Sequence, residues 1–541
     1  MEAMFARNAL RLTVRARPPL AHPRIGSGNR PCIPQCRRYS ANASPGTVSV
    51  PQATGVGALA PFVSELDKLA PSFDIKGSDI RILRTPTDFY ETLKEKIRKA
   101  ERRVFLSTLY IGKSEQELID TLAEALRNNP KLTVSILTDA LRGTREAPNP
   151  SCASLLAPLV EEFGADRVEI HMYHTPNLTG LRKKHIPRRI NEGWGLQHMK
   201  LYGMDDEIIL SGANLSSDYF TNRQDRYHLF QSKDVTDYFW RIHQGVSSFS
   251  FLVAPSAEDP AGFKLTWPAS NGGPSPLDAP NDFVRHASSV LRPLITPNTP
   301  PPPPSPEKKP ATEIEDTRIY ILAQMSQLLR PDISTELPAI THILRTLARP
   351  EFAASSWTFT AGYFNPAPSL TKLLLSTSPG GQNTVITASP YANGFYKSPG
   401  VSGLLPGAYT VLLRRFLDAV YVSRRADIQA MEWRRGTVGE PGAWTYHAKG
   451  LWISLPREAS PSMTLVGSSN YTKRSYSLDL EVGGLMVTRD EDLKRRLAEE
   501  KEWLTEHAGV TTRDDLCKSE RRVGIKVRIA MLLVKLAGGA L

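Results

Sequence analysis

The stretch QHMKLYGMDDEIILSGANLSSDYFTNRQD, residues 197–225, decides the fold because its pattern occurs again at residues 446–481. In the first copy, His198, Lys200 and Asp205 form the pattern H-x-K-x4-D. A pattern used twice in one chain predicts an internally duplicated protein, with one structural unit for each copy.

The second copy keeps the histidine and the lysine of the first, as His447 and Lys449, but has Ser454 where the pattern expects aspartate. It also contains the additional sequence LPREASPSM, residues 455–463. We expect this insertion to form a longer hairpin and the serine to change how the second loop is held.

Both copies continue with an asparagine and then an acid. Asn214 precedes Asp225 by 11 residues, and Asn470 precedes Glu481 by the same interval. A carboxylate that accepts a hydrogen bond from one imidazole nitrogen orients the ring and raises its basicity. Asp225 and Glu481 are therefore predicted to orient the two histidines.

Two histidines provide the groups that phosphodiester transfer needs when no metal is present. One neutral imidazole can attack phosphorus, while the other, protonated, donates to the departing oxygen. Histidine and lysine are two residues apart in each copy, so they project from the same face of an extended strand. The lysines and asparagines, Lys200, Lys449, Asn214 and Asn470, are predicted to hold the transferred phosphoryl group.

These motifs resemble the half-sites of the phospholipase D superfamily. The tracts YFTNRQDRY (219–227), YHAKGLW (446–452) and GSSNYTKRS (467–475) are similar to its mitochondrial phosphatidylglycerophosphate synthase branch. The resemblance covers roughly residues 60–510. It implies an α/β fold with two duplicated α/β/α sandwich domains and one shared active site at their interface.

The resemblance also implies a reaction. The phosphatidyl group of CDP-diacylglycerol would pass to sn-glycerol 3-phosphate, giving phosphatidylglycerophosphate and CMP without a metal ion or other cofactor. His198 is then the nucleophile and His447 the acid and base, although the near symmetry leaves their order open. Asp205 belongs to the catalytic motif, and we expect it to brace its loop rather than contact substrate.

Related reactions would use the same residues. The alternatives are a mitochondrial hydrolase or nuclease of the superfamily, or another CDP-diacylglycerol-dependent phosphatidyltransferase such as phosphatidylserine synthase. A nuclease predicts inhibition by nucleic acid and a steep salt dependence. A non-catalytic scaffold is disfavoured because both histidines, both lysines and both asparagines are present.

Residues 1–39 predict a mitochondrial transit peptide, because they contain eight arginines and one acid, Glu2, with apolar residues interleaved. An ordinary basic tail is the alternative. Without this leader the net charge falls from +12 to +5. Much of the basic character is therefore a targeting signal, and we expect no nucleic-acid partner.

Strands and helices alternate in the same order in two halves. The predicted domains are residues 60–295 and 317–510, separated by a proline-rich linker at 296–316. The strands and helices predicted are strands at 103–109, 132–138, 167–173, 356–361 and 383–389, and helices at 115–127, 154–163, around Leu370 and at about 409–424.

The sequence Gly112-Lys113-Ser114 is similar to the end of a phosphate-binding loop. The glycine that such a loop requires five residues earlier is Ser107. A nucleotide-binding loop is therefore not predicted here.

The C-terminal segment, residues 511–541, mixes basic and apolar residues. It predicts a helix lying on an anionic membrane surface, or one that docks its apolar side onto the protein. With the leader and the resemblance, this implies a peripheral enzyme on the matrix side of the mitochondrial inner membrane.

Overall fold

The computed structural model describes residues 56–188, 190–297 and 316–536. The predicted leader and nearly all of the predicted linker lie outside these residues. The strands, in chain order, are β1 (Ser72–Ile75), β2 (Ile80–Leu83), β3 (Arg103–Ser107), β4 (Thr133–Asp139), β5 (Val168–Tyr173), β6 (Leu201–Met204), β7 (Glu207–Ser211), β8 (Arg223–Gln224), β9 (Tyr227–Gln231), β10 (Phe251–Pro255), β11 (Phe263–Thr266), β12 (Thr317–Gln324), β13 (Ser356–Ala361), β14 (Asn383–Ala388), β15 (Ile428–Trp433), β16 (Thr445–Tyr446), β17 (Lys449–Ser454), β18 (Met463–Gly467), β19 (Glu481–Thr488) and β20 (Ala508–Val510).

Helices lie between most of these strands and cover both sheets. The α-helices are α1 (Ala60–Leu69), α2 (Pro86–Lys99), α3 (Gln116–Asn128), α4 (Ala140–Gly143), α5 (Cys152–Phe163), α6 (Gly180–His185), α7 (Ser217–Thr221), α8 (Lys233–Ser247), α9 (Pro280–Ile295), α10 (Glu336–Thr346), α11 (Pro368–Ser376), α12 (Leu405–Val422), α13 (Lys473–Ser477), α14 (Glu491–Thr505) and α15 (Ile525–Leu536). The strands and helices predicted from the sequence are all present, with ends that differ by a few residues.

The described residues form two nine-stranded sheets, in which the order β5-β4-β3-β6-β7-β9-β2 of one corresponds to β15-β14-β13-β17-β18-β19-β12 of the other. The first runs β11-β10-β5-β4-β3-β6-β7-β9-β2 and the second β1-β12-β19-β18-β17-β13-β14-β15-β20. In each sheet three neighbouring strands are parallel, β3 to β5 and β13 to β15, and the strand that follows each histidine, β6 or β17, pairs antiparallel beside them. The predicted internal duplication is thus visible in the topology.

Three large apolar cores hold the layers together. One packs α2, α3 and α5 on the outer face of the first sheet, and another packs α1, α10, α11 and α12 on the outer face of the second. The third lies between the sheets and includes α8, α9 and α14. A Cβ at Gly484 of β19 would lie 3.1 Å from the Leu210 side chain of β7, so the two sheets approach closely at this glycine.

The predicted start of the first domain at residue 60 does not coincide with the start of the first sheet. Helix α1 packs in the core of the second sheet, and β1 pairs antiparallel with β12, with Ser72 opposite Tyr320. The first sheet begins at β2, Ile80. A short apolar segment pairs with whichever sheet edge it reaches, and local sequence does not specify that edge.

Candidate active site

Two short parallel pairings bring the motifs of the two halves together. Strand β16 lies beside β8, with Tyr446 opposite Gln224, and Gln197 forms a bridge with Leu480. Each pairing places the residue before a histidine next to the residue before the acid of the other half. The two motifs are therefore related by an approximate twofold arrangement, and one site forms between the sheets.

Each histidine is oriented by the acid of the opposite half. His198 Nδ1 lies 2.9 Å from Glu481 Oε2 and 3.0 Å from Oε1, and His447 Nδ1 lies 2.7 Å from Asp225 Oδ2. All four side chains are buried. Because Nδ1 is engaged in both rings, Nε2 is the nitrogen that faces a reacting group.

The two lysines are also buried next to the histidines. Lys200 Nζ donates to His198 O at 2.7 Å, and Lys449 Nζ donates to Gly212 O at 3.1 Å and lies 2.7 Å from His447 Nδ1. A Cβ at Gly212 would lie 2.7 Å from both Lys449 Nζ and Asp225 Oδ1, so a larger residue does not fit there.

The asparagines occupy the loops that follow β7 and β18. Asn214 Nδ2 donates to the Tyr219 hydroxyl at 3.3 Å, and that hydroxyl lies 3.4 Å from His447 Nε2. Among the described residues, no group hydrogen-bonds to the buried Asn214 Oδ1. Asn470 is partly exposed. A chain of polar groups thus runs from Asn214 to the reactive nitrogen of His447.

Burial sets the charge state of this centre. It lowers the pKa of His198 well below the ordinary imidazole value and that of His447 to about 3, with Lys200 and Lys449 adding to the effect. It also lowers the pKa of Lys200 to about 7 and raises that of Glu481 to about 7. Both imidazoles are therefore neutral in the free protein at neutral pH.

Asp225 differs from Glu481 in its electrostatics. Although burial raises its pKa, the Lys449 ammonium and the His447 ring outweigh that effect and hold the pKa below the ordinary aspartate value. Asp225 is consequently a carboxylate at neutral pH. It accepts a hydrogen bond from the His447 Nδ1–H.

Asp205 lies away from the reacting groups, at the turn between β6 and β7. Its carboxylate accepts the backbone N–H groups of residues 101–103 at 2.7 to 3.0 Å, and its φ is +49°. An extended strand rises about 3.3 Å per residue, so the segment of chain from His198 to Asp205 spans roughly 20 Å. Asp205 contacts the backbone of the neighbouring strand, as a residue that braces the hairpin should, and we infer a structural rather than a catalytic role for it.

Ser454 ends β17 at the position that corresponds to Asp205. The loop after it, between β17 and β18, is longer than the β6–β7 turn, as predicted. The carboxylate that holds this loop belongs to Glu458. Its Oε2 accepts the Leu455 N–H at 3.1 Å, and its Oε1 lies 3.2 Å from Lys494 Nζ. The second hairpin is therefore held by a different acid.

Sequence reasoning missed two tyrosines that pack against His447. The rings of Tyr219 and Tyr363 lie edge-on to the imidazole, with centroids 5.2 and 5.0 Å from its own. Tyr219 lies within a tract that carried the family resemblance. Tyr363 follows β13, at the edge where parallel strands end and ligands commonly bind. Both positions could have been flagged on those grounds.

The fold can be compared with known structures. No family model matches the chain. A crystal structure of phosphatidylserine synthase from Haemophilus influenzae is similar to it with a TM-score of 0.66 and 18% identity, covering 88% of this chain and 97% of that one. The shared fold and the paired H-x-K half-sites define a class of protein, a duplicated α/β protein whose two sheets hold one paired-histidine site between them.

Relatives in sequence are more specific. The chain is 44% identical over 473 residues to the CDP-diacylglycerol–glycerol-3-phosphate 3-phosphatidyltransferase of Saccharomyces cerevisiae, covering 85% of this chain and 88% of the relative. It therefore belongs to the CDP-diacylglycerol–glycerol-3-phosphate 3-phosphatidyltransferase family. The mitochondrial member from Homo sapiens is 34% identical over 496 residues, covering 86% of this chain and 84% of that relative. The predicted family, fold class and enzyme class are confirmed, and the mitochondrial relatives support a mitochondrial protein.

Proposed function

We propose that this chain transfers the phosphatidyl group of CDP-diacylglycerol to sn-glycerol 3-phosphate through a phosphohistidine, giving phosphatidylglycerophosphate and CMP. The observation that supports this is the pair of crossed histidine–carboxylate contacts in one buried centre, His198 with Glu481 and His447 with Asp225. Membership of the family supplies the substrates. The distances between these side chains support the roles that we give them below.

In the first step, His198 Nε2 attacks the phosphatidyl phosphorus. The bond from phosphorus to the bridging oxygen of the diphosphate breaks, and that oxygen takes a proton from His447 Nε2 as CMP leaves. Lys200 and Lys449 stabilise the negative charge on the non-bridging oxygens, together with the amides of Asn214 and Asn470.

In the second step, His447 removes the proton from the 1-hydroxyl of glycerol 3-phosphate. The resulting oxygen attacks phosphorus, and the bond to His198 Nε2 breaks. His447 is the better candidate for proton transfer because its Nδ1 faces Asp225, a carboxylate that stays ionised. The neutral His198 is then the nucleophile.

Substrate binding favours the uptake from solvent of the proton that the first step needs. Both imidazoles are neutral in the free protein because burial lowers their pKa values. An anionic diphosphate that enters between them favours the charged form of a nearby imidazole. His447, next to the Asp225 carboxylate, is thus protonated in the complex.

The test is an assay of CMP release from CDP-diacylglycerol in mixed micelles containing a chelator, with and without glycerol 3-phosphate. We expect release to require the acceptor, to yield phosphatidylglycerophosphate and to disappear in His198→Ala and His447→Ala. The matched control is His185→Ala, because His185 is exposed on α6. Equal release without acceptor identifies a hydrolase, use of serine a phosphatidylserine synthase, and cleavage of nucleic acid without CMP release a nuclease.

We also propose a peripheral position on the matrix side of the inner membrane, with α15 as the contact. In the part of the chain that the structure describes, the helices lack the length and apolar character that a membrane span requires. Ile525, Ile529, Leu532 and Leu533 fall on one helical face and are each more than half exposed, whereas Val527 lies against α12 near Gly407. Exposed basic residues accompany that stripe, as binding to anionic lipid requires.

Vesicle flotation tests this contact. The double variant Ile529→Asp/Leu533→Asp should lose binding to vesicles of anionic phospholipid, whereas Val510→Asp, at an exposed apolar residue of β20, should retain it. Equal binding by both variants would place the membrane contact elsewhere.

A further inference from the structure

Two buried carboxylates outside the duplicated motif bind the backbone just before His198. Asp139, the last residue of β4, accepts the Gln197 N–H at Oδ2 over 3.0 Å. Asp479 accepts the Leu196 N–H at Oδ1, also over 3.0 Å. Asp139 has no exposed surface and Asp479 only 4%. The chemical steps above use neither acid, so their burial next to the catalytic segment requires another explanation.

Residues 479–481 of the second half contact the segment around His198 at successive positions. Leu480 O accepts the His198 N–H at 3.0 Å, and the Leu480 N–H donates to Leu196 O at 2.8 Å. Glu481 binds the imidazole through Nδ1. Three consecutive residues therefore hold both the backbone and the ring of one histidine.

The backbone before His198 has little freedom to move without loss. Gly195 has a φ of +119°, and a Cβ there would collide with Leu478 O, so only glycine fits this close approach of the two halves. Leu196 and Gln197 are buried. If one of their N–H groups lost its acceptor, water could not replace it, and the segment would shift. Such a shift would move the ring of the next residue, His198.

The half-site of His447 is held by different groups. The Thr445 N–H, two residues before this histidine, donates to the backbone Asn222 O at 2.8 Å rather than to a carboxylate. Arg223 lies two residues before the acid of its own half, the position that Asp479 occupies in the other half. Its Nε donates to the Thr445 hydroxyl at 3.0 Å. The two half-sites thus carry opposite charges at matching positions.

We propose that Asp139 and Asp479 are positioning residues that fix His198 for attack on phosphorus. The inference rests on the proposed function, in which His198 is the nucleophile. The two carboxylates act through the amides of Leu196 and Gln197 rather than on the reacting atoms. Attack by Nε2 requires an aligned ring, and a misplacement of about 1 Å can cost about a hundredfold in rate.

The Asp479 carboxylate also favours the charge that the ring acquires. Burial and Lys200 lower the pKa of His198, and Asp479 opposes them. The imidazole becomes positively charged when Nε2 bonds to phosphorus while Nδ1 keeps its proton, so negative charge nearby stabilises that state. Arg474 Nε lies 3.0 Å from Asp479 Oδ2 and holds this carboxylate in place.

The test compares Asp479→Ala and Asp479→Asn with the wild-type full chain in the phosphatidyl-transfer assay. We expect Asp479→Ala to lower kcat about ten- to a hundredfold, with the KM for both substrates unchanged, because the ring is misaligned while the binding groups stay in place. Asp479→Asn should retain most of the activity, since its amide oxygen can still accept the Leu196 N–H.

Asp139→Ala should lower kcat in the same way. Asp139 also accepts the Arg142 N–H at 3.0 Å and so caps α4. Urea unfolding at the assay temperature therefore accompanies the kinetics and shows that the variant is folded when its rate is measured. Because both carboxylates act on one segment, the loss of kcat in Asp139→Ala/Asp479→Ala should be smaller than the product of the single losses.

The matched control is Asp427→Ala. Asp427 is partly buried and pairs with Arg425 at 2.6 Å, much as Asp479 pairs with Arg474. It lies just before β15, whereas the site lies where the parallel strands end. This variant should lose stability and keep the kcat of the wild type.

Three results would overturn the assignment. An unchanged kcat in Asp479→Ala and Asp139→Ala excludes a positioning role. An equal loss in Asp479→Asn and Asp479→Ala assigns the effect to the ion pair with Arg474, and a raised KM with unchanged kcat assigns it to substrate binding. If the wild type forms no phosphatidylglycerophosphate, the proposed function fails. The same comparison, made on the phosphodiester cleavage that the wild type does catalyse, then still decides the positioning role.

Discussion

At the scale of single residues, the crossed contacts make each histidine depend on a carboxylate from the other half. Asp225→Asn keeps the shape of the side chain but replaces the acceptor of the His447 Nδ1 proton. We expect kcat to fall about 10²- to 10⁴-fold, with little change in KM, because the wrong tautomer or an unstabilised imidazolium cannot transfer the proton. Steady-state kinetics with both substrates measures the effect.

The control for this variant is Asp234→Asn, which changes an exposed carboxylate at the start of α8. It should leave kcat within twofold of the wild type, by the usual behaviour of exposed surface sites, about 0.5 kcal/mol or less. A comparable loss in both variants would show that Asp225 acts on general stability rather than on His447.

The protonation of the Glu481 carboxyl group should make kcat/KM depend on pH. Burial raises the pKa of its carboxyl group to about 7, from 4.5. Below pH 7 the group takes up a proton and no longer holds the His198 Nδ1–H as a carboxylate. We therefore expect kcat/KM to fall as pH decreases through about 7, and Glu481→Gln to be slow and to lack this acid limb. An acid limb that persists in Glu481→Gln would assign the titration to another group.

At the scale of secondary-structure elements, the β6–β7 hairpin depends on Asp205. Its carboxylate accepts backbone N–H groups at residues 101–103, just before β3. We expect Asp205→Ala to lower the free energy of unfolding by about 1–3 kcal/mol, because these donors lose their acceptor. The kcat of the folded protein should stay close to that of the wild type. Urea unfolding and initial rates measure the two quantities.

Asp206→Ala serves as the comparison because Asp206 occupies the same turn and pairs with Arg102 on the surface. An exposed ion pair contributes about 0–1 kcal/mol. If Asp205→Ala abolishes kcat without changing stability, Asp205 is catalytic after all.

The hairpins and sheets also show what the sequence could reveal. Strand and helix positions follow from local periodicity, and the duplicated motif contains the histidines and acids that meet in the buried centre, because both signals are properties of short stretches. The crossing of Glu481 to His198 depends on the Gln197–Leu480 bridge, a contact between distant segments that no spacing encodes. The pairing of β1 with β12 of the second sheet is likewise a contact between distant segments. The packing of Tyr363 against His447 also joins residues that are far apart in the sequence.

At the scale of the whole molecule, a buried charged network joins the two halves behind the catalytic centre. Arg226, next to Asp225, bonds through its guanidinium to Leu465 O at 2.7 Å and to Glu500 Oε2 at 2.7 Å. His228 Nε2 lies 2.7 Å from Glu500 Oε1. A Cβ at Gly450 would collide with Arg226 Nη1, so the strand after Lys449 is shaped to receive this side chain.

The free energy of unfolding depends on the Glu500 carboxylate and on its partner Arg226. Although burial raises the pKa of Glu500, Arg226 and His228 outweigh it and hold the pKa far below the ordinary glutamate value. Because the folded pKa lies below the unfolded one, this group stabilises the protein fully above about pH 4.5. That contribution is lost as pH falls toward the folded pKa.

Removing the arginine leaves the Glu500 carboxylate buried with hydrogen bonds from His228 and Trp452 but without the positive charge of Arg226. We expect Arg226→Met to lower the free energy of unfolding at pH 7 by about 3–5 kcal/mol. Arg226→Met/Glu500→Gln should recover part of that loss, because the second change removes the uncompensated charge. Urea unfolding of the wild type, both single variants and the double variant at pH 7 measures this coupling. Strictly additive losses would contradict it, since the two residues would then stabilise the halves independently.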